Sequence, residues 1–380
     1  MSMERLIDAR GITKRYGGFT LDAVDLTVDA GQIVGFIGQN GAGKSTTIKA
    51  LLGLIGLDGG QATVLGVPVG TCAPGEAAQM REQVGVVFDT VSLPPHLTVG
   101  EVGGLMACAY RAWDADMFER MLRRFKLDRA KTVKDLSRGM GMKLSLACAL
   151  AHQPRLLILD EATAGLDPMA RDEVLDLLRD FVAVEGSNGE PVNAILMSSH
   201  ITSDLDKIAD EVLCIDEGRV VFRCAKDEIC DMMGVARCRA VDFERLQNEG
   251  VSSQLAERYV RHEYGIDVLV SDRFAFMQSF PEIPCDRITI DDCMALMLKG
   301  TPMRAVRRCR RVPTTRKEAS GNAAHGEDGA RGAQEVPQAD HVHNANCDCV
   351  FCCGHGFADV RAGRGVLGGD VQRVDERLGV

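Results

Sequence analysis

Aromatic side chains are scarce in this 380-residue chain, 5% of the whole with a single tryptophan, so aliphatic residues and methionine must fill its core. Long apolar runs are missing. No window approaches 18 uninterrupted apolar residues, which excludes a bilayer-spanning helix. The opening, MSMERLIDARG, is charged early and has no apolar centre, so no secretory signal is expected. Positive charge is in deficit, and the net charge of −10 argues against a chain-wide nucleic-acid binder. No internal repeat is visible. Cysteine is plentiful at 14 residues, but most stand singly in apolar surroundings, as Cys148 and Cys214 do. They read as buried reduced thiols of a cytosolic protein, not as a disulfide framework.

What is present is more specific. The apolar run Ile33–Ile37 leads into Gly38-Gln39-Asn40-Gly41-Ala42-Gly43-Lys44-Ser45, a G-x-x-x-x-G-K-S pattern followed by Thr46. A strand feeding a glycine-rich turn and then a helix is a phosphate cradle, because glycines let successive backbone N–H groups turn inward. Lys44 brings a positive charge to the β- and γ-phosphates, and Ser45 offers a hydroxyl to Mg²⁺. Ile48, Leu51, Leu52 and Ile55 continue at helical spacing, adding a positive helix end. The spacing differs from G-x-G-x-x-G and so argues against a nicotinamide or flavin site.

From residue 1 to about 224 short apolar strands alternate with amphipathic helices. Strands are expected near Ile33–Ile37, Val84–Phe88, Leu156–Leu159 and Ala194–Ser198, each almost continuously apolar as in a sheet buried on both faces. Residues 90–137 read as helical, with Thr98 and Glu101 as a capping box and Phe118, Met121, Leu122 and Phe125 along one face. A hairpin is expected at Val212–Phe222, turning at Asp216-Glu217-Gly218. Residues 225–300 read as a small appended α/β segment. Beyond Gly300 the composition shifts to Arg, Gly, Ala and His without core periodicity, the pattern of a disordered tail.

A second phosphate-handling element is Leu156-Leu157-Ile158-Leu159-Asp160-Glu161. Asp160, at the carboxyl end of a buried strand, can hold a Mg²⁺ shell, and Glu161 is placed to polarise a water opposite the γ-phosphate. Before it lies Leu136-Ser137-Arg138-Gly139-Met140, opening a helix of small and apolar residues. Ser137, Gly139 and the free N–H groups there form another anion site. One chain with one cradle and two phosphate-binding helix starts implies that Ser137 serves a nucleotide held by another protomer.

Over residues 4 to 224 the chain resembles the ATP-binding subunit of an ABC transporter, and the exporter-type, ABC-2-like subset in particular. Leu136–Met140 resembles that family's signature motif, Ala164-Gly165-Leu166-Asp167 its D-loop, His200 its switch histidine, and Tyr16 the aromatic that stacks on adenine. The resemblance implies an α/β fold: a P-loop NTPase with a mixed or parallel core sheet, an N-terminal antiparallel β part and a helical subdomain inserted at about 90–150. It implies ATP and Mg²⁺ as cofactors, with Glu161 as general base, Lys44 and His200 on the γ-phosphate, and Ser45 and Asp160 on the metal. Two ATPase subunits would pair head to tail around two ATP, Asp167 helping to couple the sites. Their partner would be a separate transmembrane permease, met through the loop from Asp89 to Val99. The place of work would be cytoplasmic, peripheral on the inner membrane face, with no nucleic acid expected.

Two positions depart from the family pattern. Asp89 stands where a glutamine is usual; it either coordinates the metal or points to solvent. Arg138 and Met140 replace glycine and glutamine in the signature, a substitution that resembles the exporter-type subset. From Thr301 to Lys317 seven residues are basic and none acidic, which fits either anionic lipid contact or a solvated linker. Cys347, Cys349, Cys352, Cys353 and His355 suggest soft-metal ligation or an adventitious cluster. The competing class is a soluble ABC-type ATPase acting on ribosomes or DNA. The chain carries a single cradle, and about ninety residues from Lys44 to Ser137 leave no room for a coiled coil.

Overall fold

The computed structural model describes residues 3–248 and 255–303. The basic run from Arg304 and the cysteine–histidine cluster at 347–355 lie outside the described residues. The first strands, β1 (Arg5–Tyr16) and β2 (Phe19–Asp29), form an antiparallel hairpin, and β3 (Ile33–Ile37) runs into the glycine loop and α1 (Lys44–Leu51). After β4 (Gly59–Val64) and β5 (Val67–Pro68) come α2 (Pro74–Glu82) and β6 (Val84–Val87). An antiparallel sheet of order β2-β1-β4-β5 results. The helical insertion holds α3 (Val99–Ala109), α4 (Ala115–Arg124) and α5 (Arg138–Ala151). There follow β7 (Leu156–Asp160), α6 (Pro168–Val182), β8 (Ala194–Ser198), α7 (Thr202–Ile208), β9 (Glu211–Asp216) and β10 (Arg219–Ala225).

The central sheet has the order β10-β9-β3-β8-β7-β6, parallel throughout except for the β9–β10 hairpin. All five residues of β3, of β7 and of β8 are buried. Their side chains alternate strictly between two cores. Val34, Phe36, Leu156, Ile158, Ala194 and Leu196 pack toward the antiparallel sheet. Ile33, Ile37, Leu157, Leu159, Ile195 and Met197 pack toward the helices on the other face. A strand with an apolar partner on both faces has no reason to alternate polarity, which is why these segments read as unbroken apolar runs.

Local signals hold with small shifts. Thr98 and Glu101 cap α3 reciprocally, Thr98 Oγ1 accepting the Glu101 N–H and the Glu101 carboxylate accepting that of Thr98. Phe118, Met121, Leu122 and Phe125 are buried together. The hairpin turns on Glu217 and Gly218, both at positive φ, as a two-residue turn between right-twisted strands requires. The helix after the glycine loop stops at Leu51, so Ile55 lies beyond it, partly exposed. The strand expected to run to Phe88 ends at Val87, and the one expected to end at Leu159 includes Asp160.

Residues 234–303 build a third sheet from β11 (Gly234–Cys238), α8 (Ala240–Asn248), β12 (Ala256–Arg261), β13 (Ile266–Val270), α9 (Arg273–Ser279), β14 (Cys285–Arg287), α10 (Ile290–Lys299) and β15 (Thr301–Pro302). Its order is β14-β11-β13-β12-β15 with every neighbour antiparallel. From β11 to β14 this is a βαββαβ, ferredoxin-like arrangement. One face, with Ala236, Val268 and Val270, packs on Phe243, Leu246 and Phe276 of α8 and α9. The other, with Val235 and Leu269, joins Cys293 and Leu296 of α10 and Leu205 and Ile208 of α7 in the core on the helix side of the central sheet. Asp206 of α7 also meets the start of α10, and burial there raises its carboxyl above the usual range against a hydrogen bond from the Ile290 backbone, which lowers it. Among the described residues no helix is long and apolar enough to cross a membrane.

Candidate functional site

Parallel strands end on a common edge, and loops leaving that edge converge. Three do so here, after β3, β6 and β7. They and the β1–β2 turn enclose a cavity of about 600 Å³ lined by Gly18, Phe19, Asn40, Gly41, Gly43, Lys44, Ser45, Thr46, Asp89, Asp160 and Glu161. That volume lies within the usual range for a small-molecule site.

Lys44 is 6% exposed, and its ammonium donates to the carbonyls of Gly38 at 2.7 Å and Gln39 at 3.3 Å. The loop thus wraps its own lysine, and Nζ lies 4.0 Å from Glu161 Oε1. Thr47 Oγ1 donates to the Gly43 carbonyl at 2.9 Å, fixing the start of α1. Gly38 admits no side chain: a Cβ there would lie 2.2 Å from the Ile215 carbonyl oxygen of β9. Asp160 is 4% exposed and accepts a hydrogen bond from Ser198 Oγ of the neighbouring β8. Glu161 follows with φ at +56°, a left-handed conformation uncommon for a residue with a side chain. Its N–H donates to the Ser198 carbonyl at 3.1 Å, and Oε2 accepts the His200 N–H at 3.3 Å and meets Nδ1 of the His200 ring. The strained turn therefore aims one carboxylate at the cradle lysine and at the histidine after β8.

Asp89 lines the cavity together with Ser45 and Asp160. Tyr16 is half exposed, with Lys14 Nζ 5.8 Å from its ring centre, and is not among the lining residues. Phe19, across the β1–β2 turn, lines the cavity and packs close to Gly43. Sequence reading missed Gly18, Phe19 and Ser198; the Gly-Gly pair after Tyr16 and the serine ending β8 were the available signals. Ser137 and Gly139 are elsewhere. Ser137 is exposed and caps α5, its hydroxyl accepting the Met140 N–H at 3.3 Å, and Gly139 abuts the Gly165 carbonyl. The Ser137 helix start and the Ala164–Asp167 loop thus form one surface of the same protomer.

Comparison with known proteins gives the family. The ABC transporter family pattern matches residues 21–164. A Nod factor export ATP-binding protein of Burkholderia orbicola is 38% identical over 223 residues, 57% of this chain and 69% of that protein. The chain belongs to the ABC transporter ATPases. A daunorubicin/doxorubicin resistance ATP-binding protein of Streptomyces peucetius is 32% identical over 276 residues, 70% of this chain and 77% of that one. A solved ATP-binding subunit of an ABC transporter is 31% identical, with a TM-score of 0.52 over 59% of this chain and 91% of its own. An ATP-binding cassette dimer bound to ADP and Pi shares the fold at 21% identity, with a TM-score of 0.51 over 58% of this chain and 98% of its own. As an ABC ATPase this chain binds and hydrolyses ATP.

Proposed function

We propose that this ATPase powers export through a separate membrane permease from the cytoplasmic membrane face, as one of two subunits that close around two ATP. The observation that carries it is the convergence of Lys44, Asp160, Glu161 and Asp89 on one cavity. Relatives named for Nod factor export and for drug resistance support the direction of transport.

Hydrolysis needs a water aligned with the γ-phosphate and charge compensation in the transition state. Glu161 takes the water's proton, its carboxylate held by the His200 N–H and the left-handed turn. Lys44 moves from the loop carbonyls of Gly38 and Gln39 to the phosphates, and His200 holds the γ-phosphate. The loop residues Gly38 to Thr46 wrap the triphosphate, and Tyr16 and Phe19 flank the base. Ser45, Asp160 and Asp89 are oxygen donors on one cavity, the donor set Mg²⁺ accepts when one or two carboxylates act with substrate phosphates. When bound, the ion would neutralise charge on the β- and γ-oxygens. Ser137 and Gly139 line no part of this cavity, which supports their serving a partner's nucleotide.

A second, more apolar groove supports the permease assignment. It lies between the central sheet and the helical insertion and is lined by Leu52, Leu54, Phe88, Leu93, Met106 and Tyr110 among others. Asp89 lines the nucleotide cavity and Leu93 this groove, so one short loop borders both. A ribosome- or DNA-directed ATPase has no observation in its favour here.

The test is Glu161→Gln, purified with ATP from detergent-solubilised membranes. Phosphate release is expected to fall roughly 10²–10⁴-fold, the range for a lost acid–base group. A polytopic membrane protein is expected to co-purify. Recovery in the soluble fraction with ribosomes or nucleic acid would overturn the transporter reading.

A further inference from the structure

Behind the Glu161–His200 contact lies a second link between the same two segments. Arg171, in the first turn of α6 just after the Ala164–Asp167 loop, faces Asp204 in the first turn of α7 just after His200. Arg171 Nε lies 3.8 Å from Asp204 Oδ2. Asp204 is 1% exposed, and neither that Oδ2 nor Arg171 Nε has a hydrogen-bond partner. The other arm of the guanidinium donates to the Leu166 carbonyl at 3.5 Å. Asp204 in turn is tied to the switch loop, its N–H donating to the Ile201 carbonyl at 3.1 Å.

A buried carboxylate oxygen without a donor is costly, and a guanidinium N–H 3.8 Å away supplies charge without the directed bond. The contact therefore gains by shortening, and it bridges the helix that follows Leu166–Asp167 to the helix that follows His200–Ile201. A second pair, Lys207 and Asp172 at 2.7 Å, joins the same two helices but is exposed on both sides, whereas Asp204 is buried.

We propose that Arg171 is a positioning residue for ATP hydrolysis: by gripping Asp204 it fixes the spacing between the Leu166–Asp167 loop and His200. It lines no part of the cavity, and its effect passes through the segments that carry Glu161 and His200. This inference rests on the reading of Glu161 and His200 as the hydrolytic pair.

The test is steady-state ATPase kinetics of the full-length protein carrying Arg171→Gln, Arg171→Lys, Asp204→Asn and the Arg171→Gln/Asp204→Asn double variant, beside wild type and Lys44→Ala. A misplacement of about 1 Å in a catalytic constellation costs on the order of 10²-fold. Arg171→Gln and Asp204→Asn should each lower kcat by roughly 10- to 100-fold while KM moves less than about threefold, the split expected when only the transition state loses support. Arg171→Lys should recover part of the loss, and the double variant should be no worse than the poorer single one, because both remove one contact. An unchanged kcat in folded Arg171→Gln, or additive losses, would overturn the proposal. If Arg171→Gln fails to fold, the near-isosteric Asp204→Asn decides alone: unchanged kcat refutes, a selective loss supports. Wild type no faster than Lys44→Ala would instead refute the hydrolytic reading itself, and this inference with it.

Discussion

At the scale of single residues, the site is a set of conflicts held in place by neighbours. Glu161 keeps a left-handed backbone, and Lys44 is held under its own loop. The glycines of the cradle are not equivalent, and the difference can be measured. Gly41 is at φ +83° with open space where a Cβ would go, so Gly41→Ala should cost about 1–2 kcal/mol, the backbone term alone. A Cβ on Gly38 would lie 2.2 Å from the Ile215 carbonyl oxygen, so Gly38→Ala must also push the loop off β9. Urea unfolding should show a larger loss for Gly38→Ala than for Gly41→Ala, and equal losses would contradict the packing described. Lys44, Ser45, Asp160 and Glu161 were legible in the sequence because their chemistry is tied to short, fixed spacing. Ser198 and Phe19 were not, because they reach the site by strand pairing and by a turn, and spacing along the chain carries no trace of either.

At the scale of elements, reading succeeded where one signal sufficed. Apolar runs gave β3, β7 and β8, and the reciprocal Thr98–Glu101 pattern gave the start of α3. The strands of the appended sheet were faint because most are edge or half-covered strands with mixed polarity, such as β12 with its Glu257, Arg258 and Arg261. The α7–α10 contact is one of the ties between that sheet and the elements before it, and Asp206 tests it. Its carboxyl is raised by burial, so the ionised form is disfavoured in the fold. Because the folded value lies above the unfolded one, the penalty is present at neutral pH and disappears as pH falls through the carboxylate range. Asp206→Asn keeps an acceptor for the Ile290 N–H and removes the charge. Its thermal midpoint should exceed that of wild type at pH 7, with the gap closing toward pH 4; a gap that widens on acidification would be the wrong sign.

At the scale of the whole molecule, the central sheet and the appended sheet share a buried core. Val235, Leu269 and Leu296 belong to the same core as Leu205, Ile208 and Val212. A chain ended after Ala225 should therefore expose a contiguous apolar surface on α7 and β9, and aggregate or bind the apolar dye ANS while the full chain does not. Calorimetry of the full chain should show a single transition across residues 3–303, since units joined by a continuous core unfold together. Two well-separated transitions would mean that the shared core contributes little.

That continuity constrains how such proteins can be recombined. A helix that begins just after His200 and packs against the appended sheet cannot be inherited from one parent while its neighbours come from another. A chimera that exchanges residues 234–303 between two relatives would have to carry the facing side of α7 with it, Leu205, Asp206 and Ile208 included. The unit of exchange is thus set by a buried seam, not by the boundary visible along the chain.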